Sequence, residues 1–302
     1  MSNNPTLTTL IGVPIDCSGR AIGVERMPAA LRAAGLSQRL GVPDAGDLPV
    51  TIDDPRRDPV TGMIGFEAVC AASTGIRAGV GALLARGERP LVVGGCCTLL
   101  IGVFAALRDQ IGRVGLAFVD GHLDFYDGHS SPTGEAADME LAILTGLGPA
   151  QLVDLAGAPP LVEPRDVFVI GYRDAADAER DGAPDPATAA PGIHLYDVPT
   201  VRRSGPTPLG LEVALALAHD PGHFWLHLDL DVLDQAVLPA VDYLMPGGLN
   251  WDEAAALVRP LAQSPALVGA DVTILNPNLD PDGYYTQRVV KLLGDIFTYG
   301  LG

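Results

Sequence analysis

Short apolar runs of strand length alternate along the chain with longer segments whose apolar residues recur at helical spacing. The apolar runs predict strands at residues 8–13, 89–93, 114–119, 166–170, 223–228 and 267–272. The helical spacing predicts helices at residues 27–34, 66–85, 99–109, 209–218, 251–262 and 286–297. Because strands and helices mostly alternate, we predict an α/β fold with a central, mostly parallel sheet covered by helices on both faces.

Two proline- and acid-rich segments, residues 44–61 and 175–192, interrupt this alternation. Each leads into another predicted element without a change of composition, so we interpret both as surface excursions. The sequence has no internal repeat and no low-complexity tract. We therefore expect a single domain over residues 1–302.

The composition excludes several classes of protein. With 302 residues, 48% hydrophobic and 19% charged, the chain is too apolar for a disordered protein and long enough to bury a large core. Nineteen Lys and Arg against 37 Asp and Glu give a net charge of -18. This charge is opposite to that of a nucleic-acid-binding surface, and an anionic membrane would repel it.

The longest uncharged stretch, residues 90–107, is at the short end of the roughly 17 to 25 residues that a membrane helix needs. It contains two consecutive glycines, which indicate a turn between a strand and a helix. Residues 1–9 are polar and lack the pattern of a signal peptide. Four cysteines, two of them adjacent, make a poor disulfide framework, so we expect a cytoplasmic protein.

Three predicted strands are followed by residues that can bind a metal ion or take part in catalysis. Asp-Gly-His-Leu-Asp follows one at residues 120–124, Asp-Leu-Asp follows another at 229–231, and Gly-Gly-Cys-Cys follows a third at 94–97. In extended backbone every second side chain lies on the same side, so the acidic and histidine side chains of each motif can share one site. Ligands of open α/β sheets bind at the carboxyl ends of the strands, where these motifs stand.

Four carboxylates at one site would repel one another and take up protons unless cations lie among them. A single Asp-x-Asp is more often a solvated strand end than a ligand pair. Two such motifs at the ends of buried strands, one of them with a histidine, favour a metal site. A mixed set of carboxylates and imidazole suits Mn²⁺, Fe²⁺ or Zn²⁺ better than Ca²⁺ or Mg²⁺.

These motifs resemble those of the ureohydrolase family, the arginases and agmatinases. Residues 120–124 match its Asp-x-His-x-Asp motif and residues 229–234 its Asp-x-Asp-x-x-Asp motif, while residues 12–14, 23–25, 28–32, 239–240 and 246–249 match further family segments. The resemblance covers nearly the whole chain and implies a three-layer α/β/α fold. It also implies hydrolysis of guanidino C–N bonds of a small molecule at a dinuclear manganese centre, and it is compatible with a homo-oligomer.

The resemblance further implies the ligands of two divalent metal ions. One ion would be bound by Cys97, Asp120, Asp124 and Asp229, and the other by Asp120, His122, Asp229 and Asp231. Water between two cations has a lowered pKa, and Asp124 would pass a proton to the leaving nitrogen. We interpret His227, two residues before Asp229, as a core or ligand-supporting histidine.

Two departures from the family pattern concern a metal ligand and the residue that carries protons. Cys97 stands where the family has a histidine ligand, and because thiolate is softer, Zn²⁺ or Fe²⁺ become alternatives to the favoured Mn²⁺. Ala137 stands where the family has a histidine that carries protons. Glu135 or His129 would then replace it, or Asp124 would act alone; we favour Glu135.

Two more departures concern the substrate. Ile274 stands where arginases bind the guanidinium with a glutamate, and Ala176 where an acidic residue contacts the substrate amino group, although Glu179 is retained nearby. Tyrosines replace smaller polar residues at two further positions. We predict a pocket that includes Tyr126, Thr133, Glu179, Tyr243 and Ile274. It would take a guanidino, amidino, ureido or related amide group of a substrate other than L-arginine.

Two other functions stay open. A catalytically silent relative, which keeps metal and serves as a binding or regulatory subunit, would explain the loss of the histidine and the glutamate. A deacetylase-like amidohydrolase would share the fold, but its metal site is mononuclear and its paired histidines are not recognisable in this sequence.

Overall fold

The computed structural model describes residues 7–298, which form one parallel sheet with helices packed on it. The strands are β1 (Thr9–Val13), β2 (Asp44–Asp47), β3 (Pro90–Gly94), β4 (Gly115–Val119), β5 (Val167–Ile170), β6 (His194–Tyr196), β7 (Phe224–Asp229) and β8 (Leu267–Thr273). Their order across the sheet is β2-β1-β3-β8-β7-β4-β5-β6, and each neighbouring pair is parallel. The ends of the predicted single domain, residues 1–6 and 299–302, lie outside the described residues.

The helices lie in two packed groups. One group consists of α3 (Phe66–Leu84), α4 (Leu99–Gln110), α5 (Glu140–Leu144) and α6 (Ala150–Val153). The other consists of α1 (Met27–Ala33), α2 (Leu36–Leu40), α9 (Val198–Ser204), α10 (Pro206–His219), α11 (Trp251–Ala262) and α12 (Tyr284–Phe297). Two short helices, α7 (Ala175–Asp181) and α8 (Pro186–Ala189), follow β5. The predicted α/β/α fold with a parallel central sheet is confirmed.

The inner strands are mostly apolar, as expected where helices cover both faces of a sheet. Every residue of β1, β3, β4, β5 and β7 is buried. The six predicted strands agree with these observed strands and β8 to within about two residues. Residues 90–107 divide into β3, a turn and α4, and no helix in the described part of the chain is long and apolar enough to cross a membrane.

The sequence analysis missed the two edge strands. Residues 44–61 were expected to be a surface excursion, but their first four residues form β2, with sequence Asp-Ala-Gly-Asp. This strand pairs with β1 through backbone hydrogen bonds from Leu10 N to Pro43 O (2.9 Å) and from Leu48 N to Gly12 O (2.9 Å). Likewise, residues 175–192 are not irregular throughout but contain α7 and α8. An exposed polar edge strand has no hydrophobic pattern to detect.

Candidate metal centre and active site

Four adjacent strands, β3, β8, β7 and β4, present their carboxyl ends at one edge of the sheet. Cys97 lies in the turn between β3 and α4, Asp120 directly follows β4, and Asp229 is the last residue of β7. The fold therefore brings together residues that are far apart in sequence. All six side chains predicted to bind metal belong to one group at this edge: Cys97, Asp120, His122, Asp124, Asp229 and Asp231.

The deeper part of this group centres on the thiol of Cys97. Its Sγ donates a hydrogen bond to Asp229 Oδ2 (2.7 Å) and lies 3.3 Å from Thr273 Oγ1, while the Thr273 hydroxyl donates to the same carboxylate oxygen (3.0 Å). All three side chains are buried. One potential ligand atom from each of Cys97, Asp120, Asp124 and Glu140 lies within 4.8 Å of the others.

The outer part of the group consists of Asp120, His122 and Asp231. His122 Nδ1 is 3.1 Å from Asp231 Oδ2 and 3.6 Å from Asp120 Oδ1. Backbone amides orient the carboxylates, because His122 N donates to Asp120 Oδ1 (2.7 Å) and Asp231 N donates to Asp229 Oδ1 (2.7 Å). These amides hold the carboxylates of Asp120 and Asp229, the two residues expected to contribute to both metal sites, at the ends of β4 and β7.

His227 supports this group from within β7 and is fully buried. Its Nδ1 is 2.5 Å from Asp271 Oδ2, and its Nε2 is directed at Asp120 Oδ2 at 3.4 Å. Trp225 Nε1 donates to the other oxygen of Asp271 (2.6 Å), so the carboxylate that orients the imidazole is itself oriented. Such carboxylate–histidine pairs orient ligands in metal sites.

Burial of these carboxylates in their ionised form is energetically unfavourable without a cation. It raises the pKa of Asp124 and of Asp229, and the neighbouring carboxylates of Glu140 and Asp231 raise them further. Burial, with the charge of Asp229, likewise raises the pKa of the Cys97 thiol. At Asp120 burial acts in the same direction, but the nearby imidazoles of His122 and His227 outweigh it and hold its pKa below the usual range.

The donors fit divalent metal ions. Both carboxylate oxygens of Glu140 are buried without a hydrogen-bond partner in the described structure, and Asp120 Oδ2 faces only His227 Nε2, at 3.4 Å. Buried ionised carboxylates are normally paired with cations or bind metals. A thiol, carboxylates and an imidazole are also the ligand types that Mn²⁺, Fe²⁺ and Zn²⁺ accept.

A cavity of about 370 Å³ opens beside the donor group. Of the predicted pocket residues, Tyr126, Thr133, Tyr243 and Ile274 line it. Glu179 does not: it is exposed on α7, and Asp177 of the same helix lines the cavity instead. The structure therefore places Glu179 outside this cavity. One helical turn carries two acidic residues, and the sequence does not show which one faces inward.

Glu135, the favoured proton carrier, lines the cavity, whereas His129 is exposed and lies outside it. The Glu135 carboxylate accepts hydrogen bonds from Cys17 Sγ (3.4 Å) and from the hydroxyl of Tyr243. Burial raises the pKa of Glu135, and the hydrogen bonds from Tyr243 and Cys17 partly oppose that rise. Ala137 also lines the cavity, so no imidazole stands at that position.

Backbone strain marks the cavity wall at two of the predicted residues. Asp124 has φ of 46° and Ile274 has φ of 75°, and Ile274 N donates to Gly95 O (2.8 Å). A β-branched residue in the left-handed region is a rare outlier, and such outliers cluster at functional sites.

A sequence model described as the Arginase family matches residues 7–297. This chain belongs to the arginase family. An arginase from Bacillus caldovelox is 30% identical over 295 residues, which are 96% of this chain and 97% of that protein. Its native structure has a TM-score of 0.87 at 29% identity and covers 98% of this chain and 99% of its own. A formimidoylglutamase from Bacillus subtilis, 20% identical, shares the fold with a TM-score of 0.73 over 98% of this chain and 88% of its own.

Membership of the arginase family confirms the resemblance inferred from the motifs. The family consists of metal-dependent hydrolases that act on small molecules, and the group at the sheet edge is the candidate for its dinuclear centre. Sequence reasoning missed Glu140 and Asp174, which lie in or beside this site. Glu140 reads as an ordinary acidic residue in the first turn of a helix, and Asp174 as the residue before one.

Proposed function

We propose that this chain is a hydrolase with two divalent metal ions that cleaves a linear C–N bond of a small molecule. The observation that carries the proposal is the convergence of six ligand-type side chains beside a cavity of about 370 Å³. Mn²⁺ is the favoured ion, with Zn²⁺ or Fe²⁺ as alternatives because of the Cys97 thiol. The four cysteines are free, which supports a cytoplasmic location.

When bound, two adjacent divalent cations lower the pKa of water and so supply a nucleophile near neutral pH. Cys97, Asp120, Asp124 and Asp229 would hold one ion and Asp120, His122, Asp229 and Asp231 the other. Asp124 lines the cavity, so its carboxylate is open to a leaving nitrogen and can hand it a proton.

Glu135 would carry protons between the cavity and solvent. It lines the cavity wall, its carboxylate is held by the hydroxyl of Tyr243 and the thiol of Cys17, and the competing His129 lies outside the cavity. A positioned carboxylate is a competent general base. Glu135 is thus the chain's replacement for the imidazole that Ala137 cannot provide.

The cavity lining supports a substrate other than L-arginine. The reacting group would be a guanidino, amidino, ureido or related amide group. Within this class Ile274 favours the neutral or less basic members, because it places an apolar side chain where arginases have a carboxylate for the guanidinium. The wall also carries Asp16, Asp138, Asp174, Asp177 and Asp242, and within residues 7–298 no Lys or Arg lines it. We infer that the substrate bears positive charge away from the reacting group, because an anion would be repelled.

The second candidate is a catalytically silent relative that keeps metal and acts as a binding or regulatory subunit. Two observations favour it: Ala137 and Ile274 both line the cavity, where they supply neither a proton carrier nor a charge partner. Turnover of any substrate at this site would exclude it.

A substrate screen tests the proposal. Protein purified under reducing conditions and loaded with Mn²⁺ is incubated with guanidino, amidino, ureido and amide compounds, both cationic and neutral, with L-arginine for comparison. Release of urea, ammonia or amine is measured. We expect turnover of a compound other than L-arginine and its loss in Asp124→Asn. Metal-loaded protein that hydrolyses none of them would favour the silent relative, and a strong preference for L-arginine would contradict the inferred specificity.

A further inference from the structure

Glu140 is a buried acidic residue that the ligand set above does not use. It is the first residue of α5, directly after the turn at Ala136–Asp138, and its side chain is 0% exposed. Neither of its carboxylate oxygens has a hydrogen-bond partner in the described structure. A carboxylate removed from water in this way is unfavourable unless a proton or a cation compensates it.

The groups around Glu140 supply no cation that is free to pair with it. Its carboxylate lies against that of Asp124, and ligand atoms of Cys97 and Asp120 complete the group within 4.8 Å. His227 is the nearby imidazole, but its two nitrogens face Asp271 and Asp120. Glu140 is therefore the fourth donor of a fully buried set that contains three carboxylates and one thiol.

We propose that Glu140 is a ligand of the deeper metal ion, together with Cys97, Asp120 and Asp124. The inference rests on the metal centre of the proposed function and adds one ligand to it. A Glu140 ligand would also affect which metal ion the site prefers. The thiol of Cys97 makes the site softer, and an extra carboxylate restores the oxygen-rich set that suits Mn²⁺ or Fe²⁺.

The alternative is a structural pair in which a protonated Glu140 donates to Asp124. One shared proton would satisfy one oxygen of each residue and leave the second Glu140 oxygen without a partner. A divalent cation instead compensates the whole Glu140 carboxylate together with that of Asp124. The metal-ligand role therefore accounts for more of the unpartnered atoms.

The test compares Glu140→Gln with Asp138→Asn, a matched change two residues away. Asp138 is half-buried and lines the cavity, but its Oδ2 accepts hydrogen bonds from Ser131 Oγ (2.7 Å) and Thr133 Oγ1 (2.6 Å), and it belongs to no group of potential ligands. Metal-free proteins are titrated with Mn²⁺ by calorimetry, bound metal is counted by mass spectrometry, and Co²⁺ spectra report the coordination. The melting temperature of each metal-free variant reports its folding.

We expect Glu140→Gln to weaken one of the two Mn²⁺ sites at least about tenfold, the range found when even ligand-supporting residues are changed. Its Co²⁺ spectrum should change, and metal-free Glu140→Gln should melt no lower than metal-free wild type, because a buried acid is removed. Asp138→Asn should bind two ions as wild type does. Should Glu140→Gln fail to fold, Glu140→Asp, which keeps the charge but shortens the side chain, should show the same weakened site.

Wild-type affinity at both sites in Glu140→Gln would overturn the inference and leave the proposed function intact. An equal loss of metal in both variants would also overturn the inference, because the loss would then come from a disturbance of the backbone around residues 138–140 and not from a missing ligand. Wild-type protein that binds no metal would overturn the proposed function and this inference together.

Discussion

Cys97 is the residue at which this chain differs most informatively from its family pattern. The position of this proposed ligand could be predicted from the sequence because Cys97 follows a buried strand, as the other two motifs do. The structure adds that the thiol donates to Asp229 and contacts Thr273, and that burial raises its pKa. A bound cation is therefore needed to ionise it, and the thiolate then influences which metal is selected.

Replacing the Cys97 sulfur with oxygen should change the metal preference. Cys97→Ser supplies a harder ligand, so the ratio of bound Zn²⁺ to bound Mn²⁺ should fall about tenfold when both are offered at equal concentration. Mass spectrometry of the dialysed protein gives the ratio. Cys96→Ser is the matched control, since Cys96 lines the cavity but belongs to no ligand group. Equal ratios in the two variants would contradict a ligand role for Cys97.

Glu135 should carry protons without holding metal. Glu135→Gln keeps the size of the side chain but cannot accept a proton, so kcat should fall by a factor of about 10² to 10⁴ with two metal ions still bound. Steady-state kinetics on a substrate found in the screen, with metal analysis, checks this. The control Glu179→Gln changes an exposed residue outside the cavity and should leave kcat unchanged. Wild-type turnover in Glu135→Gln would transfer the role to Asp124 alone.

At the scale of elements, the turn after β3 positions Cys97. Gly95 N donates to Val13 O (3.0 Å) and Gly95 O accepts from Ile274 N (2.8 Å), which ties this turn to β1 and to the end of β8. A Cβ at Gly95 would lie 1.8 Å from the carbonyl oxygen of Ile15. Only glycine allows the backbone to approach so closely, so the turn is built around that contact.

Gly95→Ala should therefore destabilise the protein and displace Cys97. We expect a loss of about 1 to 3 kcal/mol in unfolding free energy, the usual cost of overpacking, and weaker metal binding. Urea denaturation and metal analysis measure both. Gly81→Ala is the control: it lies inside α3, where a Cβ would meet its nearest neighbour at 3.8 Å, so it should stabilise by roughly 0.5 to 1 kcal/mol. Similar effects of the two substitutions would contradict the role of the turn.

The elements also show what the sequence could and could not reveal. Buried inner strands were predictable because their apolar runs are continuous, and their ends located the ligands. Edge strand β2 has almost no apolar residue and β6 has only three residues, so neither has a pattern. Glu140 and Asp177 could not be assigned, because their positions depend on how α5 and α7 pack rather than on a motif.

At the scale of the whole molecule, the structure explains where the apolarity and some of the acidity belong. The apolar stretch at residues 90–107 forms an inner strand, a turn that contains Cys97, and the buried part of a helix. The acidic residues Asp120, Asp124, Asp229 and Asp231 gather at one edge of the sheet, where two divalent ions would reduce the net charge from -18 to about -14. Five further aspartates line the cavity and give it a negative wall.

The central claim is that this edge of the sheet holds two divalent metal ions. Crystals of protein loaded with Mn²⁺ under reducing conditions, measured on both sides of the manganese absorption edge, test it most directly. The account predicts two anomalous peaks, one beside Cys97 and Glu140 and the other beside His122 and Asp231. No peak in this group from protein shown to be folded, or manganese bound only elsewhere, would contradict it.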